Sequence, residues 1–146
     1  MPATANKTVW QDMTSKLGAM GGVQATCIGE VKASAAQSGL VMVIPMAGRI
    51  DTTVLNAPRE VHTVSIVRLE NELREPTEGV EFDLDQWRAE ILEDIWGDFD
   101  LGGTIAYALP AETTWEYGFV VYNNTRYRYV DITFSYRVDP AAVFVA

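Results

Sequence analysis

The sequence predicts an α+β fold: a mostly antiparallel sheet packed by two main helices, ending in a C-terminal β-hairpin. Three observations carry this expectation. From Thr125 to Val138 the residue types alternate strictly, with Val130, Ile132, Phe134, Tyr136 and Val138 on one face and Tyr129, Asp131, Thr133, Ser135 and Arg137 on the other. Two segments carry apolar residues at helical spacing, Trp10, Met13, Leu17 and Met20 in one and Leu84, Trp87, Ile91, Ile95 and Phe99 in the other. Two further apolar runs, Leu40 to Met46 and Val61 to Leu69, have the length of buried strands rather than helices.

Taken in order, Ala5 to Met20 reads as the first helix, stopped by Gly21-Gly22. Ala25 to Lys32 is expected as a strand and Ala33 to Gly39, small and polar, as a loop. Leu40 to Met46 is a buried strand whose Pro45 suggests a sheet edge or an exit from the sheet. Arg49 to Leu55 alternates weakly, an exposed hairpin arm broken by Pro58. In Val61 to Leu69, Val61, Val67 and Leu69 share one face and Val64 and Ile66 the other, so this strand is expected in the middle of the sheet with cover on both sides.

Asn71 to Val80 contains Pro76 and Gly79 and reads as a loop. Asp83, with Gln86 three residues on, has the pattern of a capping box and is the expected start of the second helix, whose stripe Leu92 and Trp96 flank. Gly102-Gly103 is its expected stop. Thr104 to Leu109 is a short strand ended by Pro110, and Ala111 to Glu116 a loop. The hairpin follows, Gly118 to Tyr122 and Thr125 to Val138, joined at Asn123-Asn124, since Asn tolerates positive φ.

At 146 residues the chain is expected to be one domain with a sizeable core. No apolar run approaches the roughly 20 residues of a membrane helix, and Lys7 is not followed by the apolar block of a secretory signal. There is no internal repeat. The net charge of −9 is concentrated: residues 70–100 hold twelve acids against two bases, while the remainder is nearly balanced. Such a segment reads as a solvated face, or as a negative wall that repels phosphates or docks a basic partner.

Chemistry-bearing patterns are few. His62 is the one histidine and Cys27 the one cysteine, which excludes Cys/His zinc constellations and an internal disulfide; both read as structural strand residues. Asp94, Asp98 and Asp100 lack the order of an EF-hand loop, and spacing alone selects no acid pair for glycoside hydrolysis. Arg126-Tyr127-Arg128-Tyr129 interleaves bases and aromatics, but in an acidic chain it reads as strand-end snorkelling rather than a nucleic-acid site. No catalytic residue, metal ligand or cofactor site is expected, and an enzyme is not.

Several of these pieces together resemble the tail-terminator family of long-tailed bacteriophages. They are the N-terminal helix, Leu40-Val41-Met42-Val43-Ile44-Pro45 followed by Arg49-Ile50-Asp51, the strand from Val61 to Leu69, the acidic helix with Trp87 and Ile91, and above all Tyr129-Val130-Asp131-Ile132-Thr133-Phe134-Ser135-Tyr136-Arg137-Val138. The resemblance implies a virion structural protein at the head–tail junction, assembled in the host cytoplasm. Six copies would form a ring on the head-proximal end of the tail tube, stop its growth and meet the head-completion proteins. The genome would pass through the lumen without specific binding.

On that reading Glu78, Glu81 and Asp85 are expected to face the lumen and keep DNA from sticking. The arm over 47–59, with Arg49, Asp51 and Arg59, is expected to add to a neighbour's sheet. The apolar tail over 139–146, with Val143 and Phe144, is expected either to dock on an adjacent subunit or to fold back on its own sheet. A head-closure or neck connector protein is the alternative within the same class. A small acidic metal-binding or enzymatic α+β domain is the alternative outside it.

Overall fold

The computed structural model describes residues 4–51, 59–71, 77–97 and 107–138. Helix α1 (Thr4–Gly18) leads to strand β1 (Ala25–Ile28), a single 3-10 turn at Ala33–Ala35, and strands β2 (Leu40–Asp51) and β3 (Arg59–Asn71). Helix α2 (Thr77–Gly97) follows, then strands β4 (Tyr107–Tyr122) and β5 (Thr125–Val138). The five strands form one sheet in the order β1-β2-β3-β5-β4, antiparallel except for the β1–β2 pair. This is the expected α+β class, with β3 at the centre and the hairpin as its β4–β5 half.

Both helices lie on one face of the sheet, α1 against β1 and β2 and α2 against β5 and β4. Between them sits the main core. Val9, Met13 and Leu17 come from α1, and Val80, Leu84, Trp87 and Ile91 from α2. Val41, Val43, Val64, Ile66, Val130, Ile132, Phe134 and Tyr136 come from the strands. Burying each large side chain contributes roughly 1.5–3 kcal/mol, so this face dominates the stability. Trp10 is half-buried and donates its Nε1 to the Tyr136 hydroxyl at 3.1 Å, which ties α1 to the centre of the sheet.

The opposite face is covered at one end by the β1–β2 crossover, residues 29–39. Tyr127 donates its hydroxyl to the Ala36 carbonyl at 3.1 Å, and the Val31 amide donates to the Met42 sulfur at 3.4 Å. Beneath lies a smaller apolar cluster of Leu40, Met42, Val67, Leu69 and Tyr127. The same face then becomes polar: Thr63 and Ser135 share a hydrogen bond of 2.8 Å, and Ser65 donates to Asp131.

The structure redraws several element bounds. Helix α2 starts at Thr77, not Asp83. Val80 lies four residues before Leu84 and extends the buried stripe by a turn, and Glu78 supplies the acid of the first turn. Gly79, read as a loop residue, lies inside that turn. The second correction is β4, which is continuous from Tyr107 to Tyr122 where a short strand and a loop were expected. Its register jumps between Leu109↔Ser135 and Thr114↔Thr133, so Pro110 and its neighbours form a bulge. An edge strand tolerates both the bulge and the proline.

Pro45 does not end its strand. It sits at a register shift inside β2, in the half that β1 does not reach, where a missing N–H costs no ladder bond on the β1 side. The strand read over Ala25 to Lys32 is cut to four residues, because the chain turns at Gly29 into the crossover. At the hairpin, Asn123 and Asn124 both have positive φ, 50° and 63°, the type I′ geometry that matches strand twist.

Candidate functional site

The acidic segment does not behave as one surface. Glu70 leaves it altogether: on β3 it is buried beside Arg68, whose Nη2 and Nε donate to the same Glu70 oxygen at 2.6 and 3.1 Å. Ser38 donates to the other oxygen, and the Asn71 amide donates to Ser38. The Arg68 guanidinium also lies over the Trp87 ring, 5.5 Å from its centre. Gly22, at φ 83°, passes so close that a Cβ there would stand 2.7 Å from Arg68 Nη2. Two residues apart on a strand, Arg68 and Glu70 must share a face. That period-two signal was present in the sequence, but Glu70 was counted with the solvated acids.

On α2, Glu81 and Asp85 point toward β4 and β5 rather than freely outward. Arg128 grips Glu81 with two bonds, 2.8 and 3.1 Å. Asp85 accepts from Arg88 and from the Tyr117 hydroxyl, both at 2.8 Å. Those bonds, from Arg88 first and then Tyr117, hold the Asp85 carboxyl below its usual range. Among the three acids expected in a lumen, Glu78 alone lacks an ion-pair partner among the described residues. Exposed Glu93 and Asp94 share that condition on the same helix.

The arm splits at the sheet. Ala47 to Asp51 run on in β2 and pair with Arg59 to Thr63 of β3, Asp51 opposite Arg59 in the last rung. Arg49, Met46 and Ile50 are exposed. The arm's tip, residues 52–58, and the C-terminal tail with Val143 and Phe144 lie outside the described residues.

The most distinctive exposed surface, unforeseen from sequence, is the outer strand β4. Trp115, Phe119 and Val121 alternate along it on the helix side and are all exposed. Three arginines stand over these rings: Arg88 over Trp115 at 4.5 Å, Arg126 over Phe119 at 4.0 Å and Arg128 over Phe119 at 4.6 Å. With Arg88 and Arg128 also engaged by carboxylates, this row presents apolar area framed by neutralised charge. Phe82 adds an exposed ring on the solvent side of α2.

On the other face an open groove of about 210 Å³ lies between the crossover and the strands, lined by Met42, Ile44, Leu69, Tyr129, Tyr122 and Glu30 among others. Tyr122 donates to Glu30 at 3.0 Å, and burial followed by this bond pushes its hydroxyl up to about 12. Cys27 is half-buried, its Sγ against the Gly29 carbonyl, and burial pushes the thiol up, away from a reactive thiolate. His62 stacks on Tyr136 and stands 3.2 Å from a Glu60 oxygen.

Among the described residues no group of three or more His, Cys, Asp or Glu could hold a metal ion, and no helix is long and apolar enough to cross a membrane. No protein-family model matches the chain, and no curated protein matches it.

Proposed function

We propose that this chain is a ring-forming virion structural protein of the tail-terminator kind. Its ring caps the head-proximal end of a phage tail tube, stops tube polymerisation and joins the tail to head-completion proteins. The observation that carries the reading is β4: a sixteen-residue outer strand, unpaired on its far side among the described residues, with exposed Trp115, Phe119 and Val121. A long apolar strand edge is a liability for a chain that works alone and an asset for one that assembles. The strand most similar to the family, β5, is the one that supports this edge. Helix α2 adds exposed Glu78, Glu93 and Asp94, a surface that repels DNA phosphates if it faces a lumen.

The test is native mass spectrometry and negative-stain imaging of the protein alone and with purified tail tubes. A six-fold ring, found at one end of tubes whose growth it stops, is the expected result. A chain that remains monomeric and ignores tube ends would overturn the reading, whereas a ring that binds head-completion proteins but not tubes would favour the neck connector. Glu78→Lys, Glu93→Lys and Asp94→Lys together are expected to slow genome ejection; unchanged kinetics would remove the lumen assignment.

A further inference from the structure

Residues paired across the sheet form rows, and one row runs through all five strands on the helix side: Ile28, Val43, Ile66, Ile132 and Trp115. Its three inner members are buried. Its two ends, Ile28 on β1 and Trp115 on β4, are each 44% exposed. The adjacent helix-side row ends in Thr26 and Tyr117. An apolar row that stops at solvent on both edges is completed by a second sheet set in line with the first.

The strand directions permit this without turning the molecule over. β1 runs parallel to β2, and each of the following three pairs is antiparallel, so β1 and β4 run in opposite directions. A copy placed beside another, helices on the same side, therefore offers β1 to its neighbour's β4 as an antiparallel partner. Thr114 to Tyr122 contains no Lys, Arg or Pro, the residues that commonly block such pairing. Beyond Val43, β1 leaves β2 uncovered, a notch one strand deep that begins in the row of Ile44. The β4 bulge between Leu109 and Thr114 falls in the rows of Ala47 to Ile44, level with that notch.

We infer that the subunit interface is a heterologous β-seam, β4 of one copy pairing with β1 of the next, with Trp115 opposite Ile28 and the β4 bulge entering the notch beside β2. The partner is a second copy of this chain. Contacts between two different surfaces of one subunit close into a ring when the rotation per copy closes. The inference rests on the ring reading above and gives that ring its interface.

Opposed residues on neighbouring strands have Cα atoms about 4.5–5.5 Å apart, within disulfide reach. In a Cys27→Ala chain carrying both Ile28→Cys and Trp115→Cys, mild oxidation is expected to give a ladder of covalent multimers ending at the ring. Either cysteine alone should give none. A ring in native mass spectra with no ladder places the interface elsewhere and overturns the seam while leaving the ring. Covalent dimers from Trp115→Cys alone indicate a two-fold β4–β4 contact and overturn it. A chain monomeric at every concentration that also ignores tube ends overturns seam and ring together. Ile28→Lys, at an exposed site, is expected to convert ring to monomer with unchanged far-UV circular dichroism; a ring that persists overturns the seam.

Discussion

The two faces of the sheet solve one problem with different materials. Under α1 and α2 the three inner strands β2, β3 and β5 contribute large apolar side chains, and the charges admitted there are held in pairs, Arg68 with Glu70 and Arg128 with Glu81. Under the eleven-residue crossover, the opposite face is apolar only where the crossover reaches. Beyond it lie Thr63, Ser65, Asp131 and Ser135, bonded to one another. A helix brings a continuous apolar stripe; a loop brings backbone and small side chains. Beyond the reach of the loop the face must therefore satisfy its own polar groups, since a buried unpaired group costs about 1–3 kcal/mol. The cover of each face thus dictates its chemistry.

The largest test of that contrast is on the helix face. Glu70→Ala leaves the buried Arg68 charge unpaired, and the expected loss is roughly 3–5 kcal/mol by urea unfolding. The double replacement Arg68→Met, Glu70→Leu should recover most of it, because the surroundings are apolar. A single-variant loss below about 1 kcal/mol would mean that water reaches the pair and that the helix face is less sealed than its burial indicates.

An intermediate effect is expected on the other face. Gly118 of β4 is covered by the Tyr129 ring, and a Cβ there would stand 2.5 Å from the phenol oxygen and 2.6 Å from Cζ. Alanine normally improves on glycine in a strand, so the sign is informative. Displacing a ring held between strands costs about 1–3 kcal/mol, and Gly118→Ala should lower the unfolding midpoint accordingly. A rise would show that Tyr129 swings freely into the groove, making this face more adaptable than the helix face.

What the sequence disclosed follows the same division. The buried face of β5 was legible because Val130, Ile132, Phe134 and Tyr136 all answer to one cover, and the hairpin turn because two asparagines stand at its tip. The central place of β3 was legible from apolar residues on both its sides. The start of α2 was missed because Pro76 and Gly79 imitate a loop, and only packing reveals that Val80 belongs to the stripe. β4 was divided because Pro110 reads as a stop; its partner strand carries the pairing past it. At the candidate site, Asp85 was rightly placed on an acidic helix, and its partner Arg88 stands only three residues on. Glu81 fell before the expected helix start at Asp83, and the partners Arg128 and Tyr117, 47 residues from Glu81 and 32 from Asp85, leave no local trace.

The smallest test compares one tyrosine from each face. Tyr136, beneath the helices, is shifted upward chiefly by desolvation, further than Tyr122 on the groove, where desolvation and Glu30 set the hydroxyl at about 12. A tyrosine whose folded pKa lies above its unfolded value of about 10 contributes stability that is complete below pH 10 and lost as pH rises toward its folded pKa. For Tyr122 that window is pH 10 to 12. Tyr122→Phe should therefore flatten part of the alkaline loss of stability between pH 10 and 12, measured as urea midpoint against pH, while leaving pH 7 stability nearly unchanged. Absorbance titration should show exposed tyrosines ionising first, Tyr122 near 12, and Tyr136 only as the fold opens. If Tyr122 ionised with the exposed group, the groove would be wet and the two faces would differ in solvation as well as in cover.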